Sequence, residues 1–326
     1  MKLAHALALS LTLVVTGCKK KDDPAGAGSA PASGPATASG AGSAVASGAG
    51  STAASGAGAA VASGAAVASG SAAPAEVPAD GLKLPRGLPK VGDKETKAED
   101  MRMTLTIEAG PGKTVEMQMA KHSEETSEVL GVDGGTKNKI KITYTTVTEN
   151  QTTGGKSRDK PSPIAGKTYV VWREGDDVKA TLADGSAPPA EELAEVVDKE
   201  EELGTPNSID EIIASKVWKV NEKVAFTPDE LAKVNARQNP KSEEKKSLEK
   251  MELTLIAVEG GVARFNMTMG MAIKNPKGSM SMAVSGTARA DTASGHLLEI
   301  EGTGPVEGVM GAKVSGTLTM KTVATY

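Results

Sequence analysis

Beyond Asp93 the chain alternates apolar and polar side chains with a period of two, and this pattern confines it to antiparallel β-sheet with one buried face. Met101, Met103, Leu105 and Ile107 alternate with Arg102, Thr104, Thr106 and Glu108. Successive side chains of a strand point to opposite faces, so the spacing collects the apolar groups on one side. A parallel sheet covered on both faces would read as unbroken apolar runs instead. Gly110-Pro111-Gly112 supplies a turn, after which Val115, Met117 and Met119 alternate with Glu116, Gln118 and Ala120. Ile140, Ile142 and Tyr144 repeat the pattern, and residues 168–173 and 178–182 read as a hairpin around Gly175-Asp176-Asp177.

The period changes in the middle of this region. Pro188-Pro189 opens a stretch with Leu193, Val196, Val197 and Leu203 on one side, stopped by Gly204. Its acidic residues, Glu191-Glu192 and Glu200-Glu201-Glu202, are expected on a solvated outer face. Ser208-Ile209-Asp210-Glu211 and Thr227-Pro228-Asp229-Glu230 both match the capping box, in which a hydroxyl and a later carboxylate each satisfy a free backbone N–H. Three short helices are therefore predicted between Pro188 and Ala236, followed by a polar loop over residues 238–246.

Alternation then returns. Met251, Leu253, Leu255 and Ala257 lead to a turn at Glu259-Gly260-Gly261. Phe265, Met267, Met269, Met271 and Ile273 form the next face, and Asn275-Pro276-Lys277-Gly278 turns again. Met280, Met282 and Val284 follow, then Leu298 and Ile300, then Val314, Leu318 and Met320, the pattern of a meander. Gly270, Gly286, Gly302 and Gly316 fall inside strands, where glycine permits a bend or bulge. The expected fold is α+β: a curved antiparallel β-sheet or half-barrel with a few short central helices, over residues 93–326. Residues 139–144 and 250–255 share a rhythm that an internal duplication or alternation alone would produce.

Ahead of Asp93 the composition shifts. From Pro24 to about Pro78 nearly every residue is Ala, Gly, Ser, Pro, Thr or Val, and Ala-Ser-Gly begins at Ala38, Ala46, Ala54 and Ala62. No unit has an apolar face to bury, so the stretch cannot offset its ordering entropy and reads as a disordered tether. Residues 18–92 would span about 45–50 Å root-mean-square. At the start, Lys2 precedes an apolar run over residues 3–15, too short for a membrane span of ~20 residues. The run ends in Val15-Thr16-Gly17-Cys18, which holds the chain's single cysteine.

This tetrad resembles the lipobox of bacterial lipoproteins. The resemblance implies that residues 1–17 are a signal peptide and that Cys18 becomes the mature N-terminus, diacylated on sulfur with chains such as palmitate and acylated on its amine. The lipid bilayer would then be a partner through acylated Cys18, and the localisation a lipid-anchored one. Lys19 after the cysteine, in place of Asp, favours the outer membrane, facing the periplasm or the cell surface. The remainder resembles uncharacterised envelope lipoproteins with low-complexity tethers and, on architecture alone, half-barrel carriers of lipids.

Equipment for catalysis is sparse. The 37 Lys+Arg against 41 Asp+Glu leave no basic excess for nucleic acid, and 2% aromatics leave few platforms for stacking bases. One cysteine excludes an intrachain disulfide and a thiolate zinc site. His122, beside Glu124 and Glu125, reads as a surface turn residue, and His296 as the opening of a strand. Ser157 with Lys160 and Ser242 with Lys245 match Ser-x-x-Lys, but in polar loops without the companion motifs. No enzyme activity, cofactor or metal is expected. The unusual feature is methionine: Met101, Met103, Met117, Met119, Met267, Met269, Met271, Met280 and Met282 all project from predicted strands with period two. Thioether chains are flexible and polarizable and suit adaptable apolar surfaces. The expectation is a non-enzymatic role in binding an apolar ligand or a lipid or protein partner on that face. The alternatives are a plain methionine-filled core, or a structural scaffold or adhesion module of the cell envelope.

Overall fold

A computed structural model describes residues 78, 80–236 and 244–326; the signal segment, Cys18, nearly all of the low-complexity stretch and Ser242 lie outside the described residues. Twelve strands form one open antiparallel sheet. They are β1 (Lys94–Gly110), β2 (Lys113–Asp133), β3 (Thr136–Thr153), β4 (Lys156–Pro161), β5 (Lys167–Glu174), β6 (Asp177–Leu182), β7 (Lys223–Ala225), β8 (Lys245–Glu259), β9 (Val262–Asn275), β10 (Gly278–Asp291), β11 (Leu297–Met310) and β12 (Lys313–Thr325). Three helices separate β6 from β8: α1 (Ala190–Lys199), α2 (Ser208–Ser215) and α3 (Pro228–Asn235). Strands take 63% of the described residues and helices 11%, so the fold is mostly β rather than the expected α+β. The strands outrun their apolar residues. β2 continues from Met119 through Lys121, Ser123 and Glu125 with side chains of unchanged facing, and β8 begins at Lys245, inside the predicted loop.

The strand order is β6-β5-β3-β2-β1-β12-β11-β10-β9-β8-β7, with β4 paired to the far end of β3. The first and last strands therefore pair with each other at the middle of the sheet, from Thr96↔Thr325 to Ile107↔Val314. From this seam two meanders run outward to opposite edges. The chain crosses from the β6 edge to the β7 edge through the helices.

Helix α1 lies on the buried face of the first meander. Val196 and, just beyond the helix, Leu203 pack with Ile140, Ile142, Tyr144, Tyr169 and Val171. Glu192 is only 6% exposed, not on the expected solvated face. Tyr169 Oη donates to it at 2.7 Å and Lys167 Nζ at 2.5 Å. Tyr144 Oη likewise donates to Glu200 at 3.0 Å. The acidic edge of α1 turns inward because two buried phenols and a lysine on the sheet need acceptors there. The helix ends at Lys199 rather than at Gly204, and Arg173 donates to the carbonyls of Glu201 and Leu203 in the turn that follows.

Helix α2 is capped by Asn207, not Ser208: Asn207 Oδ1 accepts from the backbone N–H of Ile209 at 2.9 Å and of Asp210 at 3.4 Å. Asn is at least as good an N-cap as Ser, and Ser208 is left buried inside the first turn. The Thr227–Glu230 capping box is present on α3. At the end of α3, Asn235 accepts from Leu248 N at 2.8 Å and donates to Leu248 O at 3.0 Å, imitating a strand partner for β8. Trp218, fully buried, stacks edge-on to Phe265 at 5.0 Å and bridges Leu82 through its backbone. Packing thus begins ahead of Asp93, with Leu84 also buried.

Two strand glycines stand where neighbouring backbones come close. A Cβ on Gly316 would sit 2.0 Å from Thr104 O, and one on Gly286 would sit 1.9 Å from Glu301 O. Gly316→Ala is expected to destabilise the fold by roughly 2 kcal/mol through overpacking, read as a lowered denaturation midpoint. A second expectation concerns pH. Hydrogen bonds from Lys167 and Tyr169 hold the Glu192 carboxyl below its ordinary value. The stabilisation is therefore complete above the unfolded carboxylate pKa of about 4.3 and is lost as pH falls through the lower folded value. Glu192→Gln should flatten the acid side of a Tm-against-pH curve measured from pH 6 to pH 3.

Candidate functional site

The register assembles the nine methionines on one face. Met117, Leu105, Gly316, Val306, Met282, Met271 and Leu248 stand side by side on β2, β1, β12, β11, β10, β9 and β8. One step along the strands, Met119, Met103, Leu318 and Gly304 cross β2 to β11, and Val284, Met269 and Met251 continue across β10 to β8. The next row holds Met101, Met320, Gly302, Gly286, Met267 and Leu253, and on the other side Met280 lies between Ile273 and Gly308. Of the nine, all but Met101 are buried. Glycines and methionines neighbour one another repeatedly, which leaves room for the long, flexible thioethers.

This apolar belt has a charged border that the sequence reading did not single out. Along β1 the same face continues from Met101 to Glu99, Lys97 and Glu95, and along β2 from Met119 to Lys121, Ser123 and Glu125. Lys97 is 2% exposed, pairs with Glu99 and lies 3.9 Å from Glu125. Burial pulls its ammonium down, but Glu125 and Glu99 outweigh burial and leave its pKa above the ordinary lysine value. Lys121, opposite Met101, behaves in the opposite way. Burial and then the nearby Lys199 of α1 lower its pKa, against a weaker pull from Glu99, Glu149 and Glu195. Tyr144 is held well above the usual phenol value by burial and by Glu200 and Glu125. The signal for this border was present in the sequence: Lys121, Ser123 and Glu125 keep the parity of Met117 and Met119.

Beyond the border, at the start of β1, lies a polar cleft with about 70 Å³ open to solvent, lined by Arg86, Glu95, Lys137, Asn207, Asp210, His296 and Tyr326 among others. Lys137 bonds Glu95 at 3.1 Å and Arg86 pairs with Glu211 at 3.0 Å. The rings of His296 and Tyr326 meet edge-on at 4.0 Å, and burial lowers the imidazole pKa. His296 immediately precedes β11, as the sequence predicts. His122 lies within β2 rather than in a turn, 3.0 Å from Asp100 and 3.5 Å from Glu124. Ser157 and Lys160 belong to the exposed strand β4, not a loop. Three residues apart on a strand, their side chains leave on opposite faces, which removes the nucleophile–base pairing. Among the described residues no group of three His, Cys, Asp or Glu side chains is placed to hold a metal, and no helix is long and apolar enough to cross a membrane.

No protein-family model matches the chain, and no curated protein does. Among solved structures it is similar to one describing lipid–protein interactions in lipovitellin, with 6% identity and a TM-score of 0.32 over 72% of this chain and 25% of that one. It thus spans about a quarter of lipovitellin's length. A structure of MucB in complex with MucA(peri) gives 7% identity and a TM-score of 0.10, over 68% of this chain and 88% of that one.

The two border lysines should respond oppositely to removal of charge. Lys97→Met removes the cation that pairs with buried Glu99 and is expected to cost about 3–5 kcal/mol. Lys121→Met extends the methionine row and removes a poorly paired ammonium, so it should raise stability by about 1 kcal/mol. Urea unfolding of both variants at neutral pH checks the contrast.

Proposed function

We propose that this protein is an envelope lipoprotein, held to a membrane through acyl groups on Cys18, whose sheet curves into a half-barrel and binds an apolar ligand without catalysis. The observation that carries the reading is the continuity of the methionine belt across seven adjacent strands, β2 to β8 through the β1–β12 seam. A core built only to be filled is served better by branched side chains with fixed rotamers. A row of thioethers instead conforms to guests of varied shape.

Curvature is supported by Gly286 and Gly316, whose missing Cβ atoms let adjacent backbones approach on the belt side. The return of the chain from one sheet edge to the other also favours bending. Ten strand spacings of about 4.8 Å would hold the edges far apart in a flat sheet. Among the described residues α1 packs on β3, β5 and β6 and α3 on β8. Along β1 the apolar part runs from Met101 to Ile107, about 20 Å at strand rise, a length suited to an acyl chain.

The anchor and the tether complete the reading. Several acyl chains on Cys18 would hold the protein stably where one would not. A slack segment from Cys18 to about Pro78, ahead of the packed Leu82 and Leu84, would let the sheet work some tens of ångströms from the bilayer, on the periplasmic or outer side of the outer membrane.

The test is mass spectrometry of the full-length protein purified from its native membrane. Under denaturing conditions the N-terminal peptide should carry acyl mass on Cys18. Under native conditions the chain should retain non-covalent lipid. A protein that binds no lipid, natively or after incubation with phospholipid vesicles, overturns the ligand reading, and an unmodified Cys18 overturns the anchor.

A further inference from the structure

We infer that the outward face of the sheet carries a separate site, a groove floored by Trp172 and rimmed by Lys139, which takes an acidic saccharide. The site lies on the face turned away from the methionine belt. On β5, Tyr169 and Val171 are buried in the core, so Val170 and Trp172 face outward. The register sets Trp172 between Lys139 of β3 and Lys179 of β6, and Val170 between Lys141 and Thr181. Beside them lies a groove of about 290 Å³, lined chiefly by Trp172, Val170, Thr181, Lys139 and the loop residues Ala183 and Gly185.

The walls of this groove are fixed by the fold. Asp184 Oδ1 accepts from Ser186 N at 2.9 Å and from Ser186 Oγ at 2.6 Å, and Leu182 N donates to Ser186 O at 2.9 Å, which holds the loop in place. On the other side β2 bulges at exposed Leu130, and Gly131 stands opposite Lys139, so no side chain faces the lysine there. Three polar groups of the rim are left open. Among the described residues Lys139 forms no ion pair, and neither the Trp172 indole N–H nor the Thr181 hydroxyl forms a hydrogen bond. Lys179 is paired with Glu174, and Lys141 faces Glu128 across the strands. The uncompensated charge beside the indole is therefore positive and lies on the Lys139 side.

These features select the ligand. A pyranose ring has a face of C–H groups and a perimeter of hydroxyls. Its apolar face covers an indole, while its hydroxyls meet the indole N–H and Thr181. A carboxylate on such a ring would give Lys139 the charge-assisted hydrogen bond that the fold does not supply. A neutral sugar forgoes that bond. An acyl chain would cover the same polar groups without bonding any of them, which is unfavourable. Because the groove opens to solvent, a ring at the end of a longer glycan has room to enter.

Trp172 itself reports on the site, since the chain's other tryptophan, Trp218, is fully buried. The full-length chain is titrated with a glucuronate-containing disaccharide, with its neutral glucose counterpart and with adenosine monophosphate. Binding is read by acrylamide quenching of tryptophan fluorescence and by titration calorimetry. The acidic disaccharide should shield Trp172 and bind about tenfold more tightly than the neutral one. Lys139→Gln should lower the acidic sugar's affinity to the neutral sugar's level. Trp172→Ala should weaken the acidic disaccharide by about tenfold, and Trp172→Phe, which keeps a flat ring, should restore most of that loss. Equal affinity for the two disaccharides, or a preference that survives in folded Lys139→Gln, overturns the acidic assignment. Tighter binding of adenosine monophosphate than of either sugar overturns the saccharide class. Unchanged quenching and no heat with all three ligands overturns the site itself. Every one of these outcomes leaves the lipid reading of the opposite face untouched.

Discussion

The pairing of β1 with β12 is the constraint on which the architecture depends. It joins residues more than two hundred positions apart along twelve consecutive partners, from Thr96↔Thr325 to Ile107↔Val314. Because the first and last strands meet at the centre, each half of the chain must build outward, and the intervening segment must travel between the two free edges. The same register aligns Met101 with Met320 and Met103 with Leu318, so the methionines of the two halves form one belt. A slip of one residue at this seam would turn one half's apolar set to solvent, which is why burial of a single face specifies the register. Contacts of such sequence separation carry a loop-closure cost that must be met before the pairing stabilises anything, which slows folding.

Along the strands the buried face is divided rather than uniform. Its methionine end is apolar and built largely of flexible thioethers. Its other end holds Lys97, Glu99, Glu125, Lys121 and the carboxylates of α1, where each charge depends on its neighbours. Buried ion pairs contribute little net stability because desolvation offsets their attraction, but removing one partner is costly. The border therefore holds α1 and the sheet in one arrangement. Tyr144 and Tyr169, donating to Glu200 and Glu192, attach the two ends of that helix. A surface apolar at one end and charged at the other has the polarity of an amphiphile.

Much of the sheet was legible in the sequence, and particular residues explain where legibility stopped. Apolar alternation located the cores of β1, β3, β5, β6 and β8 to β10 and assigned all nine methionines to strands. It ended too early where the buried face of β2 became polar, so β2 was read to Ala120 although it runs to Asp133, and β4, exposed on both faces and without apolar alternation, was read as a loop. The Thr227 cap was recognised because its hydroxyl and Glu230 act within one turn. Asn207 was passed over for Ser208, since local pattern does not rank two adjacent capping residues. Glu192 was assigned to solvent because charge on a helix ordinarily is, and only the position of Tyr169 reverses that.

What the sequence by itself determined was parity: which residues share a face, where turns fall, and that most of the chain beyond Asp93 forms antiparallel strands. These depend on interactions between near neighbours, which period and turn chemistry report directly. The strand order, the central seam, the unbroken methionine belt and the pairing of Lys97 but not Lys121 were decided only in three dimensions. They arise from contacts between residues remote in the chain, and a period of two says which way a side chain points without saying what it meets.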